Sequence, residues 1–204
     1  MRLGLLGPAG SNESDLERAA RFLNQEGAVD RVIYLGVDAA LDAVVRRWAE
    51  QLVGGDPGDA ALWRRAAERC VSATPAQIDA FLGTEQARRA LDVFQSLPGD
   101  GTRVIELLNG KVVVMIYDKA HLDEEDILSA SILVFGKSDA PLVKQIGSRW
   151  FISPGPVATG VMTLEDQEDG IHVTSFDAAG REVSRELLLG ARATKLKVKS
   201  ASGG

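Results

Sequence analysis

The stretch RLGLLGPAG, residues 2–10, decides the fold of this chain. Its apolar residues are closed at once by glycine and proline, which is typical of a buried strand that ends in a tight turn. Residues 11–15 then offer several helix N-cap candidates, and apolar residues follow at helical spacing as far as Leu23. A second apolar run at 32–35 and a second helical pattern after Asp38 repeat this order. Strand–helix–strand–helix order predicts a parallel sheet covered by helices, an α/β fold.

The second half of the chain is richer in predicted strands. Asn109-Gly110 separates two apolar segments and favours a tight type I′ hairpin turn over residues 104–117. The run 112–116 is apolar throughout, as expected for a strand covered on both faces. Further predicted strands lie at 132–135, 150–152, 160–165, 170–177 and 183–188.

Between these halves lies a helical region. After a loop at 54–59, a helical pattern covers 60–70, and Thr74 to Gln77 forms a capping box with proline at the first helical position. Residues 58–97 are the best candidate for an insert or lid within a single domain spanning 1–190. Residues 191–204 form a basic segment that we expect to be a flexible tail.

Composition narrows the function classes. The 204 residues carry 23 basic and 29 acidic side chains, a net charge of −6, and only 5% are aromatic. Nucleic-acid binding is disfavoured, because phosphate neutralisation needs clustered Lys and Arg. No apolar run approaches a membrane span, and the first residues do not resemble a secretory signal. The single cysteine, Cys70, favours a reducing cytoplasm, where it is a buried and inert thiol.

Few residues suggest chemistry on their own. His121 begins the acidic stretch 121–126, which could hold a hard cation but equally suits a helix N-terminus. His172 and Cys70 lie at no metal-ligand spacing. Backbone amides at Gly7, Gly10 and Ser11 follow a strand and could hold a phosphate, although no nucleotide motif is complete and glycine also suits the turn itself.

The order of these loops resembles the calcineurin-like metallophosphoesterase superfamily, in particular its small bacterial and archaeal phosphodiesterases. Residues 1–6 resemble the family's first strand, 29–36 the strand that ends in Gly-Asp, and 112–116 the apolar strand before His-Gly. Residues 132–136 resemble the strand before Gly-His-x-His, and 151–156 resemble the segment Asn-Pro-Gly-Ser. The resemblance covers about residues 1–56 and 104–189. It implies two mixed sheets flanked by helices in four layers, α/β/β/α, with the closing strands in the second sheet.

The same resemblance implies that most metal ligands are missing. The positions that correspond to the family's ligands are Pro8, Gly10, Val37, Gly55, Tyr117, Lys137 and Asp139. Proline, glycine and valine offer no coordinating side-chain atom, and Lys137 puts an ammonium where a cation would lie. A dinuclear site needs several oxygen and imidazole ligands for its two ions. Only Asp38, Asp56 and Asp139, with the Tyr117 hydroxyl, could contribute.

Three hypotheses follow. The first is an inactive, metal-free pseudoenzyme that works as a protein-binding scaffold or regulatory subunit, as a retromer subunit of the same superfamily does. Its interaction patch would involve Trp48, Trp63, Trp150 and the helices of 58–97, although each tryptophan could equally be core. The partner is an unidentified protein or a second copy of the chain.

The second hypothesis is a metal-dependent phosphoesterase with a relocated or mononuclear site built from Asp38, Asp56, Asp139 and His121. The third is an anion or nucleotide sensor that uses Lys137 and the amides of Gly7, Gly10 and Ser11.

Overall fold

The computed structural model describes residues 1–10 and 12–190. The basic segment 191–204 and the anion-binding candidate Ser11 therefore lie outside the described residues. Within the described part, no helix is both long and apolar enough to cross a membrane.

Eleven strands form two mixed sheets in the described chain. The strands are β1 (Arg2–Leu6), β2 (Arg31–Tyr34), β3 (Phe94–Ser96), β4 (Val104–Leu108), β5 (Lys111–Ile116), β6 (Ile132–Phe135), β7 (Leu142–Ile146), β8 (Arg149–Ser153), β9 (Gly160–Gln167), β10 (Gly170–Asp177) and β11 (Glu182–Gly190). The six-stranded sheet has the order β11-β10-β9-β1-β2-β3, and the five-stranded sheet has the order β4-β5-β6-β8-β7. Strands β1, β2 and β3 are parallel, and so are β5, β6 and β8.

Over residues 1–10 and 12–190, five α-helices connect or cover the sheets. They are α1 (Glu13–Gln25), α2 (Ala40–Val53), α3 (Leu62–Cys70), α4 (Pro75–Arg89) and α5 (Glu124–Ser129). The capping box predicted at Thr74 is present, with the Thr74 hydroxyl accepting from the Gln77 amide and the Gln77 side chain accepting in return. The predicted hairpin turn is present too, with Asn109 and Gly110 both at positive φ, as a type I′ turn requires.

Alternating burial along the strands produces the four layers. Leu3, Leu5 and Ile33 point between the two sheets and form the main core with Val113 and Ile132. The opposite face of the six-stranded sheet packs against α1 and α2, and the opposite face of the five-stranded sheet packs beside α5. The predicted fold class, a two-sheet α/β sandwich flanked by helices, is confirmed.

Two details of the prediction are wrong. The closing strands β9 to β11 join the sheet of β1, and not the second sheet, because β9 pairs antiparallel with β1. The helical segment assigned to 58–97 ends earlier, because residues 94–96 form β3, whose backbone pairs with β2. Strands β3 and β7 were both missing from the sequence prediction.

The three tryptophans do not form one surface patch. Trp48 is 7% exposed and packs edge-to-face on Phe94 under α2, and Trp150 packs against the main core. Trp63, on α3, is 81% exposed. The predicted patch is therefore wrong for Trp48 and Trp150, whose rings pack against the cores, and of the three only Trp63 is exposed to a partner's reach.

Candidate functional site

The candidate site is the edge at which the parallel strands end. Strands that run parallel within a sheet place their carboxyl ends at the same edge, where α/β proteins bind ligands. The six-stranded sheet contributes the turns after β1, β2 and β3. The five-stranded sheet contributes those after β5, β6 and β8. Pro8, Gly10, Val37, Tyr117, Lys137 and Asp139 all lie in these turns.

Backbone from the two sheets meets directly at this edge. A Cβ atom on Gly7 would lie 1.6 Å from the carbonyl oxygen of Gly155, and one on Gly136 would lie 2.1 Å from that of Leu35. The Val157 amide also donates to the Pro8 carbonyl at 3.1 Å. Only glycine fits such approaches, so these turns are closed against one another.

The Tyr34 hydroxyl joins two of the turns. It accepts a hydrogen bond from the Ala9 amide at 3.0 Å and donates one to Asp38 Oδ1 at 2.8 Å. Asp38 Oδ1 also accepts from the Ala40 amide at the start of α2. Tyr34 is fully buried, and this burial raises the pKa of its phenol far above the ordinary value, so the bridging phenol keeps its proton.

We expect Tyr34→Phe to lower the free energy of unfolding by about 1–3 kcal/mol, because it leaves the buried Ala9 amide without its acceptor. Urea unfolding measures the change. Tyr117→Phe, which removes a hydroxyl from a half-buried tyrosine at the same edge, is the matched control and should change stability by less than about 0.5 kcal/mol. Equal losses in the two variants would contradict a bridging role.

A second link at the edge is the ion pair between Lys137 and Asp118. Lys137 Nζ lies 2.5 Å from Asp118 Oδ2, while the Lys137 amide donates to the Tyr117 carbonyl at 2.8 Å. The hydrogen bond between the two side chains lowers the pKa of Asp118 and raises that of Lys137. The ammonium is thus matched to a carboxylate that the sequence analysis had not singled out.

Two predicted site residues do not reach this edge. Gly55 and Asp56 follow α2, a helix of 14 residues that runs back from the edge over about 21 Å. Asp56 instead lies in the loop before α3, where its carbonyl accepts from Arg65 Nη1. Placing these residues at the site was wrong. The neighbour of β2 in the sheet is β3, so the turn after β3, and not the loop after α2, lies next to the turn after β2.

The residue that the structure brings there is Asp100. Asp100 Oδ1 lies 3.3 Å from His121 Nδ1, so the turn after β3 meets the one after β5. Leu91 and Phe94 lie three residues apart, which is also helical spacing, and this spacing conceals the start of β3 in the sequence. The available signal was the turn sequence 98–101, which ends a strand as well as a helix.

The residues at the edge do not fit a two-metal centre. Across the described residues, no three His, Cys, Asp or Glu side chains are grouped so that they could hold a metal ion. Asp38 is engaged by Tyr34, His121 lies beside Asp100, and Asp139 is exposed. Pro8, Gly10 and Val37 bring no donor atom. The set Asp38, Asp56, Asp139 and His121 is therefore not assembled around one point.

Two groups of the anion hypothesis, Lys137 and Gly7, and the amide of Ala9 beside Gly10 are already engaged or closed off by other parts of the protein. The Ala9 amide, in the middle of the glycine-rich turn, donates to Tyr34, and Lys137 pairs with Asp118. Gly7 is closed against Gly155. An anion here would have to displace these partners.

Comparison with known proteins gives a likeness of fold. No protein-family model and no curated protein sequence matches the chain. A solved archaeal phosphodiesterase is 10% identical, with a TM-score of 0.46, over 86% of this chain and 100% of that one. A predicted phosphoesterase from Streptococcus pneumoniae is 12% identical, with a TM-score of 0.47, over 91% and 97%. Vps29 from Entamoeba histolytica, solved with Zn²⁺, is 16% identical, with a TM-score of 0.46, over 91% and 96%.

The resemblance to the calcineurin-like metallophosphoesterases is confirmed as a resemblance of fold. It stands on the two mixed sheets and on the glycine-rich turns gathered at one edge. The solved structures are what this chain resembles, and no activity or partner is taken from them.

Proposed function

We propose that this protein is a metallophosphoesterase-like pseudoenzyme that serves as a protein-binding scaffold or regulatory subunit. The observation that carries the proposal is the internal linkage of the candidate site. Tyr34 bridges Ala9 and Asp38, and Lys137 pairs with Asp118. Side chains of the protein itself thus hold the turns that metal ions hold together in an active phosphoesterase.

The side chains available as metal ligands at the candidate site also support the proposal, because they do not provide what phosphoester hydrolysis needs. A phosphoesterase of this class needs a Lewis acid and a metal-activated nucleophile. An ammonium at Lys137 opposes cation binding at the position that corresponds to a family histidine. The imidazole of His121 and the carboxylate of Asp38 lie on different turns and already have partners.

A binding role is supported by exposed apolar side chains on the α3–α4 hairpin. Trp63 is 81% exposed on α3, Val71 is 86% exposed in the connecting turn, and Leu82 is half exposed on α4. Monomeric proteins seldom leave a tryptophan this accessible, whereas interfaces are enriched in it. We propose that this hairpin, inserted between α2 and β3 of one domain spanning 1–190, contacts the partner protein.

The catalytic half of the proposal is tested by metal content and turnover together. Protein incubated with Mn²⁺, Zn²⁺ or Mg²⁺ and then desalted should retain far less than one ion per chain. The same sample should hydrolyse bis-nitrophenyl phosphate no faster than buffer with the same metal. Stoichiometric metal with turnover that is lost in Asp139→Ala would overturn the proposal in favour of a relocated site.

The binding half is tested with matched baits. A partner captured by the wild-type chain in a fixed ratio should be lost from the double variant Trp63→Gln/Val71→Gln. The control Leu128→Gln removes an equally exposed apolar side chain from α5, on the other sheet, and should keep the partner. Equal capture by all three baits would show that the hairpin is not the interface.

The anion-sensor alternative predicts a different response. Phosphate or ATP would raise the unfolding temperature of the wild-type chain and not that of Lys137→Ala.

We also propose a cytoplasmic location, which is supported by the lone, half-buried Cys70.

A further inference from the structure

Strand β4 is an edge strand of unusual composition. In the part of the chain that the structure describes, it lies at one end of the five-stranded sheet and pairs with β5 alone. Ile105 is 59% exposed and Leu107 is 65% exposed, both on the outer face of the sheet. Edge strands are usually protected by charge, proline, a bulge or shortness. Strand β4 has five residues in uninterrupted register with β5, and its one charge, on Glu106, points to the other side.

The other three edges carry such protection. Strand β3 has only three residues. Strand β7 has Lys144 at its centre, on the outer face. Strand β11 pairs through two register shifts and carries charges at Glu182, Arg185 and Glu186. Among the edges that the structure describes, β4 therefore differs in combining exposed apolar side chains with no such protection, whereas Val183 and Leu187 of β11 lie among charges.

The hairpin register fixes which backbone groups of β4 face outward. A two-residue turn makes Leu108 and Lys111 a hydrogen-bonded pair, and hydrogen-bonded pairs then alternate along the ladder. Val104, Glu106 and Leu108 thus direct their amides and carbonyls toward β5. The amides and carbonyls of Ile105 and Leu107 point away from the sheet, available to another strand.

This edge is complementary to itself. Two β4 strands placed antiparallel about a two-fold axis at Glu106 set Ile105 of one chain opposite Leu107 of the other. Both residues of that pair direct their backbone groups outward, so each pair forms two hydrogen bonds and the interface forms four. The side chains then meet as apolar pairs on the outer face, which stabilises antiparallel strands. On the inner face, Val104 meets Leu108.

The centre of this arrangement brings two Glu106 carboxylates together. Like charges directly opposite each other destabilise paired strands. Here each carboxylate is ion-paired with Arg31 of β2 in the opposite sheet. Two guanidinium groups therefore accompany the two carboxylates at the axis, and their charges balance.

We propose that the free edge of β4 is an interface for a second copy of this chain, which joins two five-stranded sheets into one of ten strands. The contact is isologous, as closed two-fold dimers require. It does not depend on the proposed pseudoenzyme function or on the α3–α4 surface.

Sedimentation equilibrium over a range of protein concentrations tests the proposal. The wild-type chain should change from monomer to dimer. The double variant Ile105→Lys/Leu107→Lys should raise the dissociation constant at least about tenfold, because each apolar pair becomes a pair of like charges. Ile146→Lys, an equally exposed isoleucine on β7 of the same sheet, should dimerise as the wild type does.

Hydrogen exchange provides a readout that needs no variant. The Ile105 and Leu107 amides should become protected as concentration rises, while the Gln145 amide, which the register of β7 with β8 directs away from the sheet, should not. If the lysine variant fails to fold, Ile105→Thr/Leu107→Thr keeps strand propensity and should still weaken the dimer. A wild-type chain that stays monomeric up to about 1 mM, a dimer unaffected by both double variants, or one lost in Ile146→Lys would overturn the proposal.

Discussion

Gly7→Ala is expected to destabilise the protein by more than about 3 kcal/mol, and the variant should accumulate poorly as folded protein. The added methyl group would lie 1.6 Å from the Gly155 carbonyl oxygen, a contact that no rotamer change can relieve. The clash involves backbone on both sides, so the turns after β1 and β8 must separate. Their separation also strains the hydrogen bond from the Val157 amide to the Pro8 carbonyl. Circular dichroism and urea unfolding measure the loss.

Gly55→Ala is the control for this prediction. Gly55 lies in the loop after α2, away from the candidate site, and a Cβ there meets nothing within 4 Å. Its stability should stay within about 0.5 kcal/mol of the wild type. If both alanine variants were equally stable, the close approach of the two sheets at the candidate site would be wrong.

Glu85→Gln is expected to cost about 3–5 kcal/mol at pH 7. Glu85 lies on α4 with its side chain 8% exposed and accepts from Arg65 Nε at 2.8 Å and from Arg88 Nε at 2.9 Å. Arg65 and Arg88 are themselves buried, so a neutral partner leaves the Arg65 guanidinium without a carboxylate and leaves Arg88 with Asp59 alone. Glu50→Gln breaks the exposed pair with Arg46 and should cost no more than about 1 kcal/mol.

The pH dependence of this effect has a definite sign. The hydrogen bond from Arg65, followed by that from Arg88, lowers the pKa of Glu85 below its ordinary value. A lowered native pKa gives stability that is present above the unfolded pKa of about 4.3 and is lost as pH falls through the native value. The gap between wild type and Glu85→Gln should therefore narrow below about pH 4. A gap of constant size from pH 7 to pH 3 would contradict ionised Glu85 as the cause.

Local signals in the sequence predicted much of the fold. Three short segments have a conformation that their own residues determine, and the structure has all three: the strand at 2–6, the Asn109-Gly110 turn and the Thr74 capping box. Strand β7 escaped prediction because Lys144 and Gln145 break its apolar pattern. Strand β3 escaped because three residues beside a helical stripe show no period of their own.

The candidate site was less predictable, because its links join distant parts of the chain. The sequence alone shows which side chains have no atom that could coordinate a metal, such as those of Pro8 and Val37. The bridge from Tyr34 to Ala9 spans 25 residues, and the pair of Lys137 with Asp118 spans 19. Nothing in local spacing distinguishes Asp118 from other exposed aspartates. Such partners appear only when the turns of both sheets come together.

The Tyr34 bridge has a consequence for how the protein responds to its surroundings. A link made by a bound ion obeys mass action, so its occupancy changes with the free concentration of that ion. A phenol encoded in the chain is present at one copy per molecule whatever the surrounding solution contains. On the proposed metal-free function, the Ala9 and Asp38 turns should therefore keep the same spacing through a metal shortage or a chelator pulse, and a surface built on them should be constitutive.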